Sequence, residues 1–149
     1  MLPAMVLLLM VAPPEAPKFT EAAQKELKKL EGKWKVVEVS VNGTTSKAEE
    51  GDEDFVFTFK GSRMKAMIGK KLFQEVEVVA IDPKSDPKCI DTGSADPKKT
   101  DVLEEGIYKF EGDTLYLCIY KGKDKSRPTN FDPPKEGDKF ELWIMKRVK

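Results

Sequence analysis

From Gly32 to Arg147 the chain reads as strand, turn, strand almost without interruption, and this succession limits the available folds more than any other feature. The first strand runs from about Lys33 to Val41, and the last covers Phe140 to Arg147. Between them, alternation predicts strands at Phe55 to Phe59, Arg63 to Ile68, Leu72 to Ile81, Lys88 to Thr92, Glu104 to Phe110 and Thr114 to Tyr120. Asn42-Gly43, Lys60-Gly61-Ser62, Gly69-Lys70-Lys71 and Glu111-Gly112-Asp113 supply short turns. Strands joined this way form an antiparallel meander rather than βα units. Closing eight of them up-and-down removes exposed edges and leaves an interior that side chains fill or that holds one small ligand. The expectation is an all-β, eight-stranded up-and-down barrel. A two-sheet sandwich is the competing arrangement.

The first strand carries a phase change. Trp34 and Val36 share one face, whereas Val37, Val39 and Val41 fall on the other phase. A switch at Val36-Val37 predicts a β-bulge that bends the strand sharply. Ahead of it, Phe19, Ala23, Leu27 and Leu30 recur at helical spacing. Thr20 caps the start of that helix, Glu21 sits in its first turn, Lys28 and Lys29 lie in its last turn, and Gly32 stops it. One N-terminal helix of this kind is expected to cover one open end of the barrel.

Ala4 to Ala12 is a short apolar run, followed by Pro13, Pro14 and Pro17. It is too short to span a bilayer and fits the h-region of a signal peptide, although no Lys or Arg precedes it. Residues 1–17 are therefore read as a signal peptide and 18–149 as one exported domain without a membrane span. The mature length suits a single core.

Charge and composition exclude several functions. Lys plus Arg and Asp plus Glu both number 26, so the basic footprint of a nucleic-acid binder is missing. There is no histidine, which removes the commonest general base, the commonest metal ligand and every Ser-His or Cys-His arrangement. The acidic stretch Glu49-Glu50-Gly51-Asp52-Glu53-Asp54 lacks the spacing of a calcium loop and reads as a solvated loop. Cys89 and Cys118 fall on strands separated by a third. Two strand spacings are about 9–10 Å, beyond the reach of a disulfide, and two such thiols make no metal site. No metal, cofactor or catalytic constellation is expected.

Asp91-Thr92-Gly93-Ser94 matches the aspartic-protease loop, in which two carboxylates share a proton. The chain holds one copy, so a homodimer would be required. The apolar pair and glycine that should follow are replaced by Asp96-Pro97-Lys98-Lys99. Asp91 is accordingly assigned to a strand-end turn, and a protease stays the remote alternative.

Gly32-Lys33-Trp34-Lys35-Val36-Val37, Ile90-Asp91, the run from Gly106 to Cys118, Arg127-Pro128-Thr129-Asn130-Phe131 and the Lys-Arg ending together resemble a family of small, uncharacterised lipocalin-like proteins expanded in planctomycete bacteria. The resemblance covers about residues 27 to 147 and departs at Thr92 and Asn130. It implies a calycin-type barrel and export, and no established activity. In such barrels Gly32 and Trp34 open the first strand, and Arg147 of the last strand packs over the tryptophan to close the bottom.

Two functions of different class remain. In one, the barrel binds a small apolar or amphipathic ligand, with Phe55, Phe57, Phe59, Tyr108 and Phe110 as candidate lining residues. In the other, the interior is filled, and a monomeric module acts through the loop from Lys121 to Asp138, with Arg127 and Phe131 as its candidates.

Overall fold

The computed structural model describes residues 19–96, 98, 102–124 and 126–149, with backbone alone at 102 and 103. The signal-peptide reading of residues 1–17 lies outside the described residues. Among the described residues one helix precedes nine strands: α1 (Glu21–Leu30), β1 (Gly32–Val41), β2 (Thr44–Lys47), β3 (Phe55–Lys60), β4 (Arg63–Ile68), β5 (Lys71–Asp82), β6 (Lys88–Ser94), β7 (Val102–Glu111), β8 (Thr114–Tyr120) and β9 (Phe140–Arg147). All pairings are antiparallel. They run in order from β3 to β9, and β1 joins β3 on one edge and β9 on the other. Eight strands thus close into a lipocalin-like barrel, and the two-sheet alternative is set aside.

β2 is the ninth strand and was not anticipated. Its four residues are all exposed, so no apolar alternation marked it. The Asn-Gly turn between Val41 and Thr44 was the available signal, because that dipeptide specifies a two-residue hairpin. Asp91 needs a correction. It lies inside β6, which continues to Ser94, and pairs with Glu105 of β7 instead of ending a strand.

The predicted bulge is present. The register of β1 against β9 shifts between Val36 and Glu38, leaving Val37 as the extra residue. Val39 then pairs with Trp143 on the inner phase already used by Trp34 and Val36, so the two phases of the sequence become one inner face.

That face builds a filled core. Trp34, Phe57, Phe59, Tyr108, Leu115 and Met145 are each at most 3% exposed and belong to one cluster with Ala23, Leu27 and Leu30 of α1. The Thr20 hydroxyl accepts the Ala23 amide at 3.1 Å, capping the helix as its sequence required. At the other end of α1, Trp34 Nε1 donates to Leu30 O at 2.8 Å. Arg147 donates to Glu31 O at 2.8 Å and to Lys29 O at 2.6 Å, with its guanidinium carbon 4.1 Å from the centre of the Trp34 ring. These are carbonyls that a helix C-terminus leaves without partners. Gly32 opens β1 at φ 114°, and a Cβ there would lie 3.2 Å from Arg147 Nη1. The closure expected of Gly32, Trp34 and Arg147 is therefore one contact network.

Replacing Arg147 by alanine removes a partly exposed cation–π contact and two charge-assisted bonds. The Arg147→Ala protein should lose about 2–4 kcal/mol of unfolding free energy in a urea titration. A loss below about 0.5 kcal/mol, the usual limit for surface changes, would show that the helix end is held by other means.

Candidate functional site

On one edge, β1 changes partner. Gly32 to Lys35 pair with β3, whereas Glu38 to Val41 pair with β2. The bulge at Val37 separates the two halves, so β2 and β3 diverge like the arms of a fork. A crevice of about 240 Å³ lies in that fork. Its floor is Val36, Val39, Phe55 and Ile68, and its flank on β2 is Ser46. Val36 is part of the main core, and Val39 and Phe55 pack against it, so the crevice is a lateral opening onto the barrel interior.

The rim comes from the acidic loop that joins β2 to β3. Glu49, Asp52, Glu53 and Asp54 line it, with Glu38 of β1. Two cations are present. Lys35 Nζ sits 2.8 Å from Asp54, and Lys47 stands directly across the ladder from Glu38. The loop is held in shape by its own bonds, since Asp52 Oδ2 accepts the Glu49 amide at 2.8 Å and Asp54 O accepts the Gly69 amide at 2.8 Å. Next to the floor, Phe55 contacts Trp143 and Phe73 at centroid distances of 5.2 and 5.1 Å. Phe73 and its neighbour Leu72 are 54% and 55% exposed, which makes an apolar patch beside the crevice.

The five candidate lining residues do not share one site. Phe55 lines the crevice, whereas Phe57 and Phe59 are core side chains. Tyr108 and Phe110 lie at the helix end of the barrel and border a separate open groove of about 570 Å³ with Lys88 and Phe131. The Tyr108 hydroxyl and Glu26 Oε1 are buried without a hydrogen-bond partner among the described residues. Lys29 and Lys88 place ammonium groups 3.7 and 3.6 Å from the Glu26 carboxylate and offset its charge. Lys121 Nζ lies 2.6 Å from Glu104 and 3.9 Å from Glu141, and Glu141 also accepts Trp143 Nε1 at 3.2 Å. Sequence reasoning missed the crevice because its walls come from four separate segments, and it missed Ile68 and Ser46 with it.

The long loop is a strap against the outer face. Arg127 donates to Asp91 at 2.6 Å and to Gly106 O at 2.8 Å, and lies 3.8 Å from Glu105. The Asp91 bond and charge hold the Arg127 guanidinium above its usual range. Phe131 packs on a second cluster of Ile107, Cys118 and Leu142, and Pro128 and Pro134 are buried. Arg127 and Phe131 thus hold the loop down, and Asp91 is committed to an ion pair. Cys89 and Cys118 are free thiols on this outer side, each in register with Ile107 between them. The described residues hold no group of three or more candidate metal ligands.

No protein-family model, curated protein or solved structure matches the chain. The class therefore rests on the fold: an all-β, closed antiparallel barrel of lipocalin-like form, with one helix against its end.

Burial pushes the Cys118 thiol up to about 11 and the Tyr108 phenol well above its ordinary range, the latter aided by the Glu26 carboxylate. Both groups ionise earlier in the unfolded chain. The stability that Cys118 contributes is therefore full below about pH 9 and is lost as the pH rises through about 11, amounting to at most about 3 kcal/mol. Urea titrations across this range should show a shallower decline in Cys118→Ala. An identical decline would mean that Cys118 is not the early group. Iodoacetamide should modify half-buried Cys89 in the native protein, and Cys118 only after unfolding without reductant.

Proposed function

We propose that the chain is an exported, monomeric, lipocalin-like binding module, and that its small apolar or amphipathic ligand sits in the fork of β1 rather than along the barrel axis. The observation that carries this reading is the floor of the crevice. Val36, Val39 and Phe55 are continuous with the core, yet they border an opening at the surface. An apolar ligand there covers core side chains that the β-ladder leaves uncovered, which is how small-molecule sites gain most of their affinity. The filled interior argues against an axial ligand, since Phe57, Phe59 and Tyr108 already pack against one another's neighbours. The resemblance of the Gly32–Val37 and Gly106–Cys118 segments to lipocalin-like proteins supports the same class. The reading includes no cofactor and no catalytic step.

A filled barrel equally suits a module that docks to another protein. The exposed pair Leu72 and Phe73 favours that second reading, whereas Arg127 and Phe131 are occupied by the barrel wall.

The test is to fill the crevice. Ser46 is exposed on β2 and faces Val39 across the ladder, so Ser46→Trp should place an indole over the floor with little cost to folding. An apolar fluorescent probe should saturate one site on the native protein. At about 100 times its Kd it should add about 3 kcal/mol to stability. Ser46→Trp should weaken binding at least tenfold while keeping the melting temperature of the free protein. Unchanged probe affinity in that variant would place the ligand elsewhere, and Phe73→Ser would then report on the docking reading.

A further inference from the structure

The floor of the crevice makes a site, and its rim decides what enters. We infer that the ligand is an amphipathic cation, an apolar body carrying an ammonium-type head, with the body on Val36, Val39, Phe55 and Ile68 and the head among the rim carboxylates. The inference rests on the crevice being the ligand site.

Charge complementarity carries it. Five carboxylates line the crevice against two ammonium groups, in a chain whose total charge is zero. Lys35 is spent on Asp54, and Lys47 stands opposite Glu38. Among the described residues, Glu49, Asp52 and Glu53 have no ion pair within 4.0 Å. Lys70 in the neighbouring β4–β5 turn and Lys71 at the start of β5 do not line the crevice. The backbone of the rim loop is braced by its own hydrogen bonds. Asp52 accepts the Glu49 amide, Asp54 O accepts the Gly69 amide, and a Cβ on Gly69 would meet the Glu53 carboxylate at 3.5 Å. An anionic head would meet these exposed carboxylates with like charge, a repulsion that is strongest at low salt. The volume of about 240 Å³ is below the roughly 300–1,000 Å³ of drug-sized pockets, so a short chain or single ring is the appropriate body.

The experiment is an NMR chemical-shift titration of the whole protein with octylammonium, octanol and octanoate at low ionic strength and pH 7. Octylammonium should bind at least tenfold more tightly than octanol, a difference of about 1.4 kcal/mol, and octanoate most weakly. Shifts should map to Val39, Ser46 and Ile68. The preference for octylammonium over octanol should shrink several-fold in Glu49→Gln/Glu53→Gln, whose exposed substitutions leave the core intact, and at high salt, with octanol affinity changing far less than octylammonium affinity. Equal binding of all three at the crevice would overturn the cationic head and leave the crevice reading standing. Stronger octanoate binding would also overturn it. Shifts confined to another region, or no binding by any of the three, would overturn both.

Discussion

The C-terminal end of α1 and the two ends of the sheet meet at one place. Trp34 stands at the start of the barrel and Arg147 at its close, and they are direct partners across the seam between β1 and β9. The guanidinium carbon lies 4.1 Å from the indole centre and its nitrogens donate to the carbonyls of Lys29 and Glu31, while the indole nitrogen donates to Leu30 O. A positive charge at the negative end of a helix is favourable, and helix-end carbonyls need donors. The same two side chains therefore seal the sheet, terminate the helix and bury an apolar floor. The rest of the barrel depends on that seam being closed.

The bulge in β1 has the second-largest consequence. One extra residue at Val37 restores Val39 to the inner face and bends the strand away from β3. Bending frees the upper half of that edge to take up β2, and the chain then needs the acidic loop to return to β3. An element that a regular strand would have hidden stays open to solvent. The crevice is thus a product of closure geometry, with its apolar floor and charged rim contributed by parts of the chain that serve the fold in other ways.

The outer face is organised with similar economy. Gly106 sits where a Cβ would come within 2.8 Å of Cys118 O, and its own carbonyl receives Arg127. That arginine also neutralises Asp91 on the neighbouring strand, so the loop is anchored by one partly buried charge pair and by Phe131. Such a pair costs desolvation and gives back position more than stability. The carboxylate that resembled a protease residue is consumed in this strap.

Much of the architecture was legible in the amino-acid order, because strand period, turn residues and helix caps are local properties. Alternation marked eight strands, the Val36-Val37 phase switch marked the bulge and Thr20 marked the helix start, whereas the Trp34–Arg147 seam was expected from the resemblance to lipocalin-like barrels. Locality also set the failures. β2 has no buried face to produce a pattern, and β6 runs past Asp91 because pairing with β7 extends it. The site was less legible than the fold. Three phenylalanines on one strand read as a ligand wall, yet whether an inward side chain meets a ligand or another side chain depends on what the opposite strands supply. Here Trp143, Met145 and Leu117 fill that space, leaving only Phe55 at an opening. The sequence by itself determined which residues face inward and where the chain turns. Only the tertiary structure decided which inward residues remain uncovered, because that is set by packing between strands far apart in the chain.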